Sequence, residues 1–312
     1  MNDSVDILVT LSTFSVDSEE PLRLLKESGF TFRTNPYGRR MEPNEVVELA
    51  RNSRGLVAGV ERYTADTLAQ LPNLRCISRT GVGIDNIDLT EAKRRNIAVL
   101  NTPDEPTIAV AELTLAMMLA LLRQLPKVDS MTRGYKWQRV TGQLLAGKTV
   151  GIIGLGRIGR RVSKIVRAFD ATVVGADPYP DIEWVREHGI HLLELPELLA
   201  RTDIVSIHAS TSSNHPLRFG AAELAQMKQG AWLINMARGD MVDDTALSEA
   251  LATGWISGAA LDVFPQEPYL GPLCNSDRVI LSPHQATLTV ETRTLMETRA
   301  VKNLVQYLRA AE

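Results

Sequence analysis

The sequence predicts an α/β protein with two doubly wound parallel-sheet domains, one inserted into the other. Strand-like apolar segments alternate with helix-like segments along two successive stretches of the chain. This alternation favours parallel sheets that are covered by helices on both faces. The 312 residues are enough for two domains with substantial cores. A glycine-rich turn that directly follows an apolar strand supports the same fold class.

The first stretch predicts the elements of one domain. Its strand candidates lie at residues 5–11, 31–33, 55–60, 74–78 and 98–100. Its helix candidates lie at residues 20–28, 43–51, 65–71 and 89–95. A last helix is predicted at 291–310 from its apolar spacing, and we expect it to return to this domain. The predicted bounds of the first domain are therefore residues 1–104 plus 287–312.

The second stretch predicts the inserted domain, residues 105–286. Its strand candidates lie at residues 149–153, 171–175, 204–208, 231–235, 258–262 and 279–282. An apolar helix is predicted before them, at 107–125. Because this segment contains Glu112, Arg123 and Gln124, it indicates a buried or interface helix and not a membrane span.

The glycine-rich turn indicates dinucleotide binding by a Rossmann-like domain. Gly154, Gly156 and Gly159 have the G-x-G-x-x-G spacing between a strand and a helix-like run at 160–169. In such a turn the glycines allow the tight bend, the approach of a pyrophosphate and close helix packing. Asp177 ends the next strand and is placed to bind an adenosine ribose. Pro178 follows it with no nearby arginine for a 2′-phosphate, so NAD is favoured over NADP.

Three further segments that follow strands of this domain carry candidate catalytic residues, namely Arg238, Glu267 and His284. Ligands bind at the carboxyl edge of open parallel sheets. There His284 would donate a proton to a carbonyl oxygen, and Glu267 would hold the imidazole. Arg238 would bind a substrate carboxylate. Taken singly, each residue also has an ordinary role, since isolated histidines usually lie on surfaces and Arg-Gly or Glu-Pro usually forms a turn or loop.

Composition excludes several classes of protein. The formal charge of −3 provides no basic field for nucleic acid and no polybasic patch for membranes. Cys76 and Cys274 lie far apart and lack metal-ligand spacing, so we expect reduced thiols and no metal site. The acidic N-terminus has no apolar signal region, which predicts a cytoplasmic protein.

Taken together, the motifs resemble those of the D-isomer-specific 2-hydroxyacid dehydrogenases, in particular the D-3-phosphoglycerate dehydrogenase branch. The resemblance covers nearly the whole chain. The segments that carry it are 78–88, Asn101-Thr-Pro, Val110-Ala-Glu112, 148–177, 203–208, Met236-Ala-Arg238-Gly, Ala260-Leu-Asp262-Val-Phe, Glu267-Pro and Pro283-His284.

The resemblance implies roles for individual residues. Arg238, Glu267 and His284 would be catalytic. The implied NAD-binding residues are Thr107, Gly154, Gly156, Arg157, Ile158, Gly159, Asp177, His208, Ala209, Met236, Ala237 and Asp262. The first domain would bind the substrate, its carboxylate held by the backbone N–H groups around Gly81, Val82 and Gly83.

Arg79 and Arg139 match positions at which phosphoglycerate dehydrogenases hold the substrate phosphate. The implied activity is therefore the NAD-dependent interconversion of a D-2-hydroxy acid and its 2-keto acid, with a phosphate or phosphonate on the substrate. Alternatively, the two arginines are structural or bind the carboxylate side, and the protein is a general glyoxylate or hydroxypyruvate reductase.

Two other functions on this fold are disfavoured. Formate dehydrogenases resemble this chain but lack the carboxylate partner of the histidine, which is present here as Glu267. A non-enzymatic NAD sensor or corepressor would not require the intact catalytic set. Two departures from the family pattern, at 104–106 and at 285–289, bear on the substrate but not on the type of reaction.

The resemblance also predicts assembly and regulation. The helix at 107–125 matches the segment through which these enzymes usually form two-fold homodimers, although an ordinary core helix is the alternative. Because the chain ends at residue 312, we expect no regulatory ligand-binding domain and no feedback inhibition through one.

Overall fold

The computed structural model describes residues 5–210 and 217–311. The chain forms two compact units. Unit 1 comprises Met1–Pro106 and Leu288–Glu312, and unit 2 comprises Thr107–Thr287. The chain therefore enters unit 2 after Pro106 and leaves it after Thr287.

Unit 1 is built on a five-stranded parallel sheet. Its strands are β1 (Ile7–Val9), β2 (Phe32–Thr34), β3 (Gly55–Ala58), β4 (Cys76–Arg79) and β5 (Ala98–Leu100). Its helices are α1 (Glu20–Glu27), α2 (Pro43–Ala50), α3 (Ala65–Ala69), α4 (Leu89–Arg94) and α12 (Val290–Ala310). The strand order is β2-β1-β3-β4-β5, and every pair is parallel.

Both faces of this sheet are buried, as expected for a doubly wound fold. Successive residues of β1 point to opposite faces, so Leu8 packs with α2 and α3 while Ile7 packs with α1 and α12. The helix α12 lies against β3, because a Cβ atom on Gly55 would come within 2.8 Å of Leu304 Cδ1.

Unit 2 contains a seven-stranded parallel sheet. Its strands are β6 (Thr149–Ile153), β7 (Thr172–Ala176), β8 (His191–Leu192), β9 (Ile204–Ile207), β10 (Ala231–Asn235), β11 (Ile256–Leu261) and β12 (Val279–Leu281). Its helices are α5 (Thr107–Leu122), α6 (Leu125–Arg133), α7 (Arg157–Arg167), α8 (Ile182–Glu187), α9 (Leu195–Arg201), α10 (Ala221–Gln226) and α11 (Asp244–Ala252). The fold class predicted from the sequence, two Rossmann-like parallel-sheet domains, is confirmed.

The strand order of unit 2 defines where a ligand would bind. The order β12-β11-β10-β9-β6-β7-β8 runs in both directions from β6, so the chain reverses its winding between β6 and β9. In open parallel sheets, ligands bind beside such a switch point, at the carboxyl ends of the strands. The turn at residues 154–159 follows β6 and therefore lies at this point.

The apolar segment at 107–125 forms two helices where the sequence predicts one. Helix α5 ends at Leu122, and Gln124 has a left-handed backbone with φ of 51° before α6 begins. Eight residues of α5 are buried, including Met117 and Met118 in one core cluster of unit 2. Within residues 5–210 and 217–311, no single helix is long and apolar enough to span a membrane. In the part of the chain that the structure describes, only α5 and α6 combined pass that test, and they are bent by 62°.

Candidate active site

The three glycines of the turn have different surroundings. Gly154 has φ of +90°, and a Cβ atom there would lie 2.6 Å from the backbone nitrogen of Ala209. A Cβ atom on Gly159 would lie 1.9 Å from the carbonyl oxygen of Gly154. A Cβ atom on Gly156 would meet no atom within 4 Å. Gly154 and Gly159 are thus required by packing, whereas Gly156 leaves open space before the first turn of α7, where Arg157 is exposed and Ile158 half-buried.

Asp177 links the end of β7 to the glycine turn. Its Oδ2 accepts a hydrogen bond of 2.7 Å from the backbone N–H of Leu155, and its Oδ1 accepts one of 2.8 Å from that of Tyr179. The carboxylate is held by main-chain donors beside the switch point. This is where a ribose would be recognised in a dinucleotide-binding domain, so the residues fit NAD.

His208 and Ala209 follow β9 on the other side of the switch point. The Nε2 atom of His208 lies 2.8 Å from Ser206 Oγ. Its Nδ1 atom is shielded from solvent and has no hydrogen-bond partner among the described residues. Burial lowers the pKa of His208 to about 3, which keeps the imidazole neutral.

The segment after β10 is fixed by the buried side chain of Asn235. Its Oδ1 accepts a hydrogen bond from the N–H of Ala237 at 3.1 Å, and its Nδ2 donates to the carbonyl of Arg238 at 2.8 Å. Met236 and Ala237 are buried at the end of the strand. Arg238 is half-buried, and its Nη1 donates to the carbonyl of Ala237 at 2.7 Å.

Asp262 holds the loop that carries His284. Asp262 is 1% exposed and follows β11. Its Oδ1 accepts hydrogen bonds from Ser282 Oγ at 2.5 Å and from the N–H of Gln285 at 2.9 Å, and its Oδ2 accepts one from the N–H of Ala286 at 2.9 Å. These bonds bracket His284, whose backbone is left-handed with φ of 51°. Contact of Asp262 with the nicotinamide stays a prediction.

His284 and Glu267 form a hydrogen-bonded pair. Nδ1 of His284 lies 2.9 Å from Oε2 and 3.1 Å from Oε1 of Glu267. Since an ionised carboxylate only accepts, Nδ1 carries the proton and donates it. Glu267 Oε1 also accepts from the N–H of Phe264 at 3.1 Å. Both side chains remain partly exposed, at 51% and 41%. The Nε2 atom of His284 is therefore the nitrogen left for exchange with a substrate.

Unit 2 brings these residues to one edge of its sheet. The glycine turn, Asp177, His208, Arg238, Asp262 and His284 follow the ends of β6, β7, β9, β10, β11 and β12 respectively. Because all of these strands are parallel, their carboxyl ends share one edge. Thr107, another candidate, is the first residue of α5.

The candidate substrate residues of unit 1 follow β4. Arg79 ends that strand, and its Nη1 donates to the carbonyl of Thr80 at 2.8 Å. The N–H of Gly81 donates to Thr102 Oγ1 at 2.7 Å, and Asn101 Nδ2 donates to the carbonyl of Val82 at 2.7 Å. The N–H of Gly81 is thus engaged with Thr102 in this structure, and binding of a substrate by the segment of Gly81 stays a prediction. The candidate donors that remain are those of Val82 and Gly83.

Arg139 belongs to unit 2 and lies in the exposed stretch between α6 and β6. This stretch has no helix or strand, and it also exposes Tyr135 and Trp137 at 98% and 89%. The two arginines expected to bind a phosphate thus belong to different units. A common phosphate subsite for both remains a prediction.

Sequence reasoning missed three residues that shape the site: Asn235, Gly239 and Ser282. A Cβ atom on Gly239 would lie 1.9 Å from the carbonyl carbon of Phe264, so the segments after β10 and β11 meet in backbone contact there. Asn235 and Ser282 orient neighbouring loops, as described above. Asn235 and Ser282 could have been found in the sequence as polar residues at the ends of apolar strands.

Known proteins resemble this chain along most of its length. Residues 115–286 match the model of the D-isomer specific 2-hydroxyacid dehydrogenase family, NAD binding domain. A glyoxylate reductase of Thermofilum pendens is 41% identical over 86% of this chain and 83% of its own. A D-3-phosphoglycerate dehydrogenase of Methanocaldococcus jannaschii is 36% identical over 93% of this chain, which spans only 56% of that enzyme.

Solved structures show the same fold. The D-lactate dehydrogenase of Aquifex aeolicus, determined with NAD and lactic acid, superimposes with a TM-score of 0.85. It is 27% identical and covers 97% of this chain and 96% of its own. The fold and the family match define an NAD-dependent oxidoreductase. The chain belongs to the D-isomer specific 2-hydroxyacid dehydrogenase family.

Proposed function

We propose that this protein reduces a 2-keto acid to the D-2-hydroxy acid with NADH and catalyses the reverse oxidation with NAD. The observation that carries the proposal is the hydrogen-bonded pair of His284 and Glu267. This pair lies at the same sheet edge as Arg238 and the glycine turn. A proton donor, a carboxylate-binding cation and a dinucleotide turn are what the reduction of a 2-keto acid requires.

Each residue has one chemical task in the proposed reaction. NADH, when bound, supplies the hydride that reduces the carbonyl carbon. His284 donates a proton from Nε2 to the carbonyl oxygen, so that a hydroxyl group forms. Glu267 keeps the imidazole oriented through Nδ1. Arg238 binds the substrate carboxylate and polarises the neighbouring carbonyl. In unit 1, the N–H groups of Val82 and Gly83 are the candidate donors to a substrate carboxylate.

Two classes of substrate tail are candidates. Arg79, at the end of β4 in unit 1, and the exposed Arg139 of unit 2 would each suit a phosphate or phosphonate. This favours a substrate of the 3-phosphoglycerate type. The glyoxylate reductase relative, 83% of which is spanned by this chain, favours a small acid such as glyoxylate or hydroxypyruvate. The two classes differ in the charge of the tail and therefore in what Arg79 would contact.

Oxidation of NADH at neutral pH tests the proposal. The panel contains 3-phosphohydroxypyruvate, phosphonopyruvate, hydroxypyruvate, glyoxylate and pyruvate, and the chiral products, which all of these acids except glyoxylate give, are analysed for their configuration. Turnover of at least one acid to the D-isomer is expected. NADH binding without turnover of any acid would instead favour a non-enzymatic NAD sensor. Preference for the phosphorylated acids that is lost in Arg79→Ala would select the first tail class.

We also propose that the protein forms a homodimer through α5 and the stretch that follows it. Large apolar side chains are exposed there, including Ile108, Leu125, Tyr135, Trp137 and Leu144. Exposed apolar side chains in one region indicate an interface. Light scattering after size-exclusion chromatography should give twice the mass of 34.4 kDa, and a monomer at micromolar concentration would contradict the proposal.

A further inference from the structure

A carboxyl group lies buried at the carboxyl end of the sheet of unit 1. Glu61 is 2% exposed, and its Oε2 accepts hydrogen bonds from Thr10 Oγ1 at 2.6 Å and from the N–H of Gly59 at 3.1 Å. The hydroxyl of the buried Tyr63 lies 3.4 Å from the same oxygen and 3.0 Å from Thr10 Oγ1. These donors take the place of water on the buried oxygen.

Hydrogen bonds connect the segment that carries Glu61 to the loop that follows β4. Strands β3 and β4 are parallel neighbours, so their following loops emerge side by side. The N–H of Thr80 donates to the carbonyl of Ala58 at 2.8 Å, and Asn86 Nδ2 donates to the carbonyl of Glu61 at 2.6 Å. The loop that follows β4 contains Val82 and Gly83, the candidate donors for the substrate carboxylate. Glu61 therefore lies in the layer of residues next to the candidate substrate loop.

The same cluster lies within electrostatic reach of Arg79. Burial raises the pKa of Tyr63 well above its ordinary value, and the charge of Glu61 raises it further. The positive charge of Arg79 acts on the same hydroxyl in the opposite direction. Arg79 lies opposite Ala58 in the register of β4 and β3, so it stands at the strand ends from which the segment of Glu61 emerges. A second anionic group of the substrate that binds Arg79 would therefore lie near the carboxylate of Glu61 and be repelled by it.

We infer that Glu61 determines substrate specificity by disfavouring a second anionic group on the substrate. The site then favours 2-keto acids with an uncharged tail over phosphorylated ones. This inference rests on the proposed function, in which the loop after β4 receives the substrate. Charges interact strongly in a poorly solvated site, and a phosphate carries nearly two of them. Repulsion of the wrong ligand is a common source of specificity.

The substitution Glu61→Gln tests the inference, because it removes the charge and keeps an acceptor oxygen for Thr10 and Gly59. Hydroxypyruvate and 3-phosphohydroxypyruvate form a matched pair that differs only by the phosphate. The ratio of kcat/KM for the phosphorylated acid to that for hydroxypyruvate should rise about five- to fiftyfold, mainly through KM. An unchanged or lower ratio would overturn the inference.

Two control variants separate charge from structure. Glu297→Gln neutralises another buried carboxylate of unit 1, which is 3% exposed and accepts from the N–H of Ser15 at 2.8 Å. Tyr63→Phe disrupts the cluster around Glu61 but keeps its charge. Both controls should leave the substrate ratio within about twofold of that of the native protein. A rise in either control equal to that of Glu61→Gln would show that loosened structure, and not charge, sets the preference, and would overturn the inference.

Inhibition of the native protein provides a test that needs no variant. D-Glycerate should inhibit hydroxypyruvate reduction more strongly than D-3-phosphoglycerate, and tighter binding of the phosphorylated acid would contradict the inference.

The failure of the inference is distinguishable from that of the proposed function. If the native protein turns over no keto acid, the proposed function fails. If it turns over hydroxypyruvate but the ratio does not respond to Glu61→Gln, only the role of Glu61 fails.

Discussion

Single side chains set much of the geometry of the candidate active site. Asp262 accepts hydrogen bonds from the backbone N–H groups of Gln285 and Ala286, which follow His284, and from the side-chain hydroxyl of Ser282, which precedes it. Glu267 then fixes the imidazole through two contacts with Nδ1. Asn235 holds the segment of Arg238 in a similar way. The segments of Arg238 and His284 are therefore held by Asn235 and Asp262, two buried polar residues to which the proposed reaction assigns no proton transfer or substrate binding.

The first prediction at this scale concerns the proton donor. Replacing His284 with Ala should lower kcat for keto-acid reduction by roughly 10²–10⁴, the usual contribution of a positioned general acid. The dissociation constant of NADH, measured by fluorescence titration, should change little. His191→Ala is the matched control, since His191 lies exposed on β8 at the sheet edge. Native-like turnover by the His284 variant would remove this residue from the mechanism.

The second prediction concerns cofactor choice. Asp177→Ala should weaken NADH binding by about tenfold or more and reduce the discrimination against NADPH, because a carboxylate at this position binds a ribose and repels a 2′-phosphate. The variant also removes the acceptor of the Leu155 N–H, so its melting temperature must be recorded alongside. Glu183→Gln, an exposed acid in the first turn of α8, serves as the control. An unchanged NADH to NADPH preference would mean that other residues select the cofactor.

At the scale of elements, local patterns predicted most strands and the helices of unit 1, but neither α6 and α8 to α11 of unit 2 nor the ends of the strands. The sequence predicts one strand over residues 5–11, yet β1 ends at Val9. Similarly β3 stops at Ala58, although the apolar run continues. In both cases the next residue turns toward the buried cluster of Glu61, where Thr10 and Gly59 both donate hydrogen bonds. The two-residue strand β8 was not recognised, because so short an edge strand has no periodic signal.

The third prediction concerns Gly156 and Gly159 in the turn between β6 and α7, because only Gly159 lacks the space for a side chain. Gly159→Ala should destabilise unit 2 by about 1–3 kcal/mol or more, since its Cβ atom would overlap the carbonyl of Gly154. Gly156→Ala meets open space, so the melting temperature should be retained. Its NADH affinity should nevertheless fall, because the methyl group would occupy the approach of the pyrophosphate. Equal losses of stability in both variants, measured by calorimetry, would contradict this distinction.

At the scale of the whole molecule, the order of strands decides which residues meet. In unit 2 the order β12-β11-β10-β9-β6-β7-β8 gathers residues from Gly154 to His284 along one edge. In unit 1 the order β2-β1-β3-β4-β5 places Thr10, Glu61 and Thr80 at neighbouring strand ends. Residues far apart in the chain thereby become neighbours in each unit.

The fourth prediction concerns the stability of the whole fold in acid. The pKa of His208 is about 3 in the folded protein because of burial, against 6.5 for an exposed histidine. Below pH 6.5 the unfolded chain takes up a proton that the folded protein does not, so stability falls between pH 6.5 and about 3. The drop in melting temperature between pH 7 and pH 5 should be smaller for His208→Asn than for the native protein. Equal drops would show that this histidine is not the group responsible.

The sequence by itself determined the fold class, the dinucleotide turn and the catalytic candidates. These features depend on spacing and residue type over short stretches, such as the three glycines or the acid that follows β7. Only the tertiary structure decided how loops are held and which groups are already engaged. The bond from Gly81 to Thr102 and the bonds of Asp262 to the His284 loop connect residues about 20 positions apart or more. The burial of Glu61 beside Thr10 likewise spans 51 positions. Such contacts depend on which strands become neighbours, and no local pattern of side chains specifies that order.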